Sequence, residues 1–105
     1  MRPRDECGVA KGYWIITFRS VSDPAKLAAY IEAAGPVLGA SGVRFIVRGM
    51  PQKVYEAGVQ ERTVVIEFES VARAIEVYES AEYQGAITAM GDGAERDVRI
   101  VEGFE

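Results

Sequence analysis

Arg44, Arg48 and Glu67 are the side chains of this sequence with the clearest chemical use. Residues 44 and 48 are an even number apart, so an unbroken strand puts both arginines on one side, and the same alternation brings Glu67 to that side from a neighbouring strand. An arginine forks a carboxylate or an enolate through paired N–H donors, and a glutamate beside it orients the fork or takes a proton. Tyr13 and Thr17 fall on the same side, where a tyrosine hydroxyl donates to a bound carbonyl or lines a slot for a flat ligand. Tyr83 either closes one end of such a pocket or packs the extra helical turn on the sheet edge. Two readings stand for this set: an anion-binding pocket, or a structural ion pair at the seam between two subunits.

Other chemistry is scarce. The chain has no histidine and one cysteine, so no internal disulfide forms and the usual zinc and haem ligand sets are missing. Cys7 sits beside Arg4, Asp5 and Glu6 without the electropositive setting that makes a thiolate. Gly91-Asp92-Gly93 lacks the Lys-Ser/Thr that completes a phosphate loop and reads as a turn. No metal and no cofactor are expected.

The elements that would carry these residues follow from local signals. Gly12 to Phe18 is aromatic and β-branched, a strand pattern. Asp23-Pro24 is a helix start, with the aspartate as cap and the proline in the first turn. Leu27, Tyr30, Ile31, Ala34 and Leu38 follow at helical spacing, with a kink or an irregular last turn expected at Gly35-Pro36. Val43 to Arg48 is a second strand, with Lys53 to Glu56 expected to resume it after a bend and Ala57-Gly58 to turn the hairpin. Arg62 to Glu69 is a third. Ser70 caps a helix burying Val71, Ala74, Ile75 and Tyr78, and Ser80 to Ala89 adds a further helical piece. Asp97 to Glu102 is the last strand. The sum is a β-α-β-β-α-β order, the split-βαβ plan of ferredoxin-like α+β domains, with an antiparallel sheet and its helices on one face.

Alternation divides the strands into two faces. Trp14, Ile16, Phe18, Phe45, Val47, Val64, Ile66, Phe68, Val98 and Ile100 form an apolar set for the helices to cover. The opposite set mixes Ile15, Ile46, Val65 and Val101 with Arg44, Arg48, Arg99 and Glu67. Such a face is too apolar for water and too charged for a dry core, which predicts a second subunit packed on it with a polar pocket left between the sheets. Length supports the same expectation: 105 residues make one domain with a modest core. Residues 1–10 read as a flexible N-terminal tail and 11–105 as the domain. The net charge of −4 argues against a nucleic-acid partner, and no apolar run reaches the length of a membrane span, so a cytoplasmic homodimer is expected.

The blocks Gly12-Tyr13-Trp14-Ile15, Ser22-Asp23-Pro24, Arg44-Phe45-Ile46-Val47-Arg48-Gly49, Arg62-Thr63-Val64-Val65-Ile66-Glu67-Phe68, Tyr78-Glu79-Ser80-Ala81-Glu82-Tyr83-Gln84 and Ile100-Val101-Glu102-Gly103 occur in that order. In this the chain resembles a bacterial domain-of-unknown-function family of the dimeric α/β barrel superfamily, over about Lys11 to Gly103. The resemblance implies a ferredoxin-like fold and a dimer closed sheet against sheet. It implies no single reaction: relatives in the superfamily include cofactor-free monooxygenases, muconolactone isomerases and haem enzymes. Many members carry histidine on the first strand where this chain has Thr17, so imidazole proton transfer is unavailable here. The resulting expectation is a cofactor-free enzyme, monooxygenase- or isomerase-like, acting on a small apolar or anionic molecule. A non-catalytic ligand-binding module and a structural dimer are the competing expectations.

Overall fold

The computed structural model describes residues 10–104; the expected tail and Cys7 therefore lie, but for Ala10, outside the described residues. The order is β1 (Gly12–Val21), α1 (Pro24–Ala40), β2 (Arg44–Gly49), β3 (Thr63–Phe68), α2 (Val71–Tyr78), α3 (Ala81–Met90) and β4 (Ala94–Glu102). The strands form one sheet in the order β2-β3-β1-β4, and every neighbouring pair is antiparallel. This is the ferredoxin-like arrangement expected from the element order.

The helices start where the caps predict. The Asp23 carboxylate accepts from the Ala25 and Lys26 amides, and the Ser70 and Ser80 hydroxyls accept from the Arg73 and Tyr83 amides. These side chains satisfy amides that lack intrahelical partners. Helix α1 does not end at Gly35-Pro36 but runs through Pro36 to Ala40. Pro36 and Glu32, the residue whose carbonyl loses its partner, are both exposed, so water can serve that carbonyl while Ala34 and Leu38 stay in the core.

The core joins Trp14, Ile16 and Phe18 of β1 and Val64, Ile66 and Phe68 of β3 to Tyr30, Ala34 and Leu38 of α1, with Tyr83, Ala86 and Met90 of α3. Trp14 has no exposed surface, and its indole N–H donates to the Ala74 carbonyl at 2.9 Å. That bond draws α2 in by its smallest residue, so Ala74 and Val77 form the buried pair and Ile75, expected inside, is exposed. Ile31 is likewise exposed. Gly12 lies so close to α2 that a Cβ there would stand 2.6 Å from the Ser70 carbonyl oxygen.

Two departures from regular strands decide which side chains face where. In β1 the register with β4 shifts between Phe18 and Ser20, and in β2 the register with β3 shifts between Phe45 and Val47. Each is a β-bulge, one extra residue that resets the alternation. The expected resumption of β2 over Lys53–Glu56 does not occur. That segment is irregular and ends in a turn closed by the Gly58 amide on the Tyr55 carbonyl at 2.9 Å, with Glu56 at a φ of 53°. Among the described residues no helix is long and apolar enough to cross a membrane.

Candidate functional site

Directly opposed residues of an antiparallel pair share a face, so the register fixes each strand residue. Arg44 opposes Glu67 and Val47 opposes Val65, on the face that the helices leave open. Phe45 opposes Ile66 and Arg48 opposes Val64, on the helix-covered face. The extra residue Ile46 thus turns Arg48 away from Arg44 and turns Val47 the other way. The expectation that both arginines share one face is corrected: they stand on opposite sides of the sheet.

On the open face the remaining expected residues form a paired set. The Tyr13 hydroxyl donates to Glu67 Oε2 at 2.7 Å, and Arg44 Nη1 lies 3.9 Å from Glu67 Oε1. The Glu67 acceptor, with burial second, raises the Tyr13 pKa, so that hydroxyl holds its proton. Thr17 is exposed farther along β1, opposite Asp97 and Thr63. Asp97 accepts from Arg99 at 3.0 and 3.2 Å and from Arg19 at 3.4 Å. Arg99, with desolvation opposing, holds the Asp97 carboxyl below its usual range. With Arg48 gone and Asp97 added, Arg19, Arg44 and Arg99 each have a carboxylate within reach on the open face. Its apolar residues, Ile15, Val47, Val65 and Val101, remain at least partly exposed.

The guanidiniums with no carboxylate partner among the described residues lie on the helix side. A cleft of about 80 Å³, open to solvent at its mouth, separates α1 from the β2 edge of the sheet. Ile16, Phe18, Val64 and Ile66 line it from the sheet, and Tyr30, Ile31, Ala34 and Leu38 from α1. Phe45, Arg48, Arg62 and Arg96 complete the wall. Its lining is apolar with a few polar groups, the character of a small-molecule site. Among the described residues no histidine, aspartate or glutamate belongs to the lining, and no carboxylate is in ion-pair reach of Arg48, Arg62 or Arg96. Arg48 instead stacks on the Phe45 ring, with its Cζ 5.0 Å from the centroid.

Arg96 is the most enclosed of the three. The regular register of β1 with β4 sets it opposite Phe18, just before the bulge at Arg19, with its Cζ 5.9 Å from that ring and 4.8 Å from the Tyr30 ring. Its Nη1 donates to the Tyr30 hydroxyl at 3.1 Å and its Nη2 to the Tyr83 hydroxyl at 3.4 Å. Burial pulls its pKa down, and the two phenol oxygens together outweigh that and raise it, so the group stays charged. Burial, foremost, pushes the Tyr83 phenol well above its ordinary value. Tyr83 is therefore a wholly buried core residue behind the cleft rather than a lid at the end of a pocket.

Arg62, Arg96 and Tyr30 were absent from the set expected from the sequence. The alternation Phe68, Ile66, Val64 reaches Arg62 one step back, and Ile100, Val98 reaches Arg96 in the same way. Tyr30 carried only the signal of a helix stripe, which does not tell a core phenol from a cleft phenol. For metals, the described residues hold no cluster of three or more histidine, cysteine, aspartate or glutamate side chains.

Comparison with known proteins agrees with this architecture. The family model described as "Domain of unknown function (DUF1330)" matches residues 11–104. No curated protein matches the sequence. Among solved structures, a protein of unknown function from Rhodopseudomonas palustris is similar with a TM-score of 0.68 at 15% identity, over 91% of this chain and 84% of that one. SnoaB, a cofactor-independent oxygenase from Streptomyces nogalater, is similar with a TM-score of 0.59 at 9% identity, over 92% and 96%. A dimeric ferredoxin-like protein of unknown function from Thermobifida fusca is similar with a TM-score of 0.60 at 13% identity, over 90% and 92%. At these identities the likeness is one of fold.

Proposed function

The chain belongs to the DUF1330 family, a domain of unknown function, and on that premise we propose that it binds a small, largely apolar molecule carrying an oxyanion in the cleft between α1 and the sheet. One observation carries the reading: Arg48, Arg62 and Arg96 border an apolar cleft to which no described residue contributes a carboxylate. Cations gathered at a low-dielectric surface without an acid attract an anion far more strongly than the same charges in water. The apolar lining supplies the rest of the affinity and selects against hydrated inorganic ions. Calorimetric titration with aromatic and aliphatic monocarboxylates tests it. Binding that weakens with added salt and with Arg48→Ala is expected, and no heat from any member of the panel sinks the proposal.

A second reading is supported by SnoaB, which shares the fold and is described as a cofactor-independent oxygenase. The described residues of the cleft offer no general base, so a substrate for such chemistry would have to ionise readily, with the arginines holding the resulting oxyanion. Oxygen consumption with acidic phenols or enols as substrates would separate turnover from binding.

The assembly we propose is a homodimer through the open sheet face. Ile15, Val47, Val65 and Val101 form apolar surface that the chain's own helices do not cover, and neighbours of the same fold are described as dimeric. The ligand site would then lie within each subunit, and the seam would hold the Tyr13–Glu67–Arg44 set.

A further inference from the structure

Tyr30 and Tyr83 meet hydroxyl to hydroxyl at 2.6 Å, and the direction of the proton between them follows from their other partners. Tyr83 has no exposed surface, and its oxygen meets only Tyr30 and Arg96 among the described residues. A guanidinium donates and never accepts. The Tyr83 proton, which a buried hydroxyl cannot leave unpaired without cost, therefore goes to the Tyr30 oxygen. That oxygen also accepts from Arg96 at 3.1 Å, so both of its lone pairs are used. Its own hydrogen is then left without an acceptor among the described residues. Tyr30 is 93% buried by its 7% exposure and lines the cleft, whereas Tyr83 does not. Two accepted bonds also polarise the Tyr30 O–H and strengthen it as a donor.

We propose that Tyr30 is the neutral hydrogen-bond donor of the cleft, giving its spare proton to the oxyanion of the bound ligand while Arg96 faces the same atom from beside it. This rests on the reading of the cleft as an oxyanion site and adds the residue that recognises the oxygen. The ligand class it selects is an apolar phenolate, enolate or carboxylate over a neutral compound of the same shape. Tyr83 acts through Tyr30, as a positioning residue.

The probe is 4-nitrophenolate, with nitrobenzene as its counterpart lacking the oxyanion. Its absorption band moves to shorter wavelength when its oxygen accepts a hydrogen bond. Tyr30→Phe keeps the ring and removes the donor; it should weaken 4-nitrophenolate by roughly tenfold or more and move the bound band to longer wavelength. Tyr83→Phe breaks the same tyrosine pair but leaves the Tyr30 hydroxyl, so its loss of affinity and its band shift should be clearly smaller than those of Tyr30→Phe. Nitrobenzene should bind all three forms alike. Equal losses in both variants, or equal losses for both ligands, would overturn the role of Tyr30 while leaving the cleft a binding site. Failure of the wild type to bind 4-nitrophenolate at all would instead overturn the oxyanion reading beneath it. The wild-type complex decides even where Tyr30→Phe does not fold: the Tyr30 hydroxyl proton should move downfield in the NMR spectrum on adding the probe, and a resonance that stays put overturns the proposal.

Discussion

Arg48 carries a different role on each side of the sheet. Facing the open side it would be one of the seam charges; facing α1 it borders an apolar cleft with Arg62 and Arg96 and meets no acid among the described residues. Arg48→Ala should therefore cost about 1.5–3 kcal/mol of affinity for an apolar oxyanion, the range for a hydrogen bond to a charged group. Calorimetry checks the affinity, and sedimentation should find the dimer unchanged, since Arg48 lies away from the proposed seam. Tyr83 gives a pH test. Burial holds its phenol well above the usual 10.0, so the unfolded chain loses that proton at a lower pH than the folded one. Its contribution to stability is whole below about pH 10 and shrinks as pH rises beyond it. Chemical denaturation from pH 8 to 11 should show the decline beginning near pH 10, and Tyr83→Phe should flatten it.

Among the elements, β1 and β2 do the positioning, β2 through a bulge and β1 through a regular register. The extra residue in β2 sends Arg44 and Arg48 to opposite faces, and the unbroken pairing of β1 with β4 up to Phe18 sets that residue opposite Arg96. Deleting Ile46 removes the surplus residue but leaves each remaining pair as it is, so Arg48 should stay in the cleft. Ligand affinity of the deletion variant should match the wild type. A loss comparable to that of Arg48→Ala would mean that the pairing had slipped. The junction of β1 with α2 is set by close approach rather than by side-chain chemistry. A methyl group on Gly12 would meet the Ser70 backbone at 2.6 Å, and neither segment can yield without moving Trp14 or the Ser70 cap. Gly12→Ala should lose about 1–3 kcal/mol in denaturant unfolding, the range for overpacking.

For the whole molecule the open sheet face is the dominant fact. The described domain measures 44 × 36 × 16 Å, a thin layer of helices on one sheet, with β-branched side chains left on the other side. A second copy placed face to face would bury them and enclose the ion pairs of Glu67 and Asp97. Val65→Glu, at the centre of that face, should weaken the dimer by several kcal/mol, because an unpaired charge would be shut away from water. A charge reversal at exposed Glu76 of α2, Glu76→Lys, should leave the dissociation constant alone. Sedimentation equilibrium of the two variants decides it, and equal constants would place the seam elsewhere.

Period and caps were legible in the residues themselves. Trp14, Ile16 and Phe18 alternate with Tyr13, Ile15 and Thr17, and Asp23, Ser70 and Ser80 announce their helices, because strand pleat and helix capping are local properties of the chain. From these the ferredoxin-like order and the partition of β1 and β3 followed, and Tyr13 and Glu67 were rightly placed on one face. The site was legible only in part. Nothing local in Arg44-Phe45-Ile46-Val47-Arg48 marks Ile46 as surplus, since a bulge is a mismatch between two strands and exists only once β3 is beside β2. That mismatch moved Arg48 into the cleft. Arg96 became a buried cation only when α1 and α3 set Tyr30 and Tyr83 against it from 66 and 13 residues away. Sequence determined which residues could bind an anion; packing decided which side of the sheet would offer them to one.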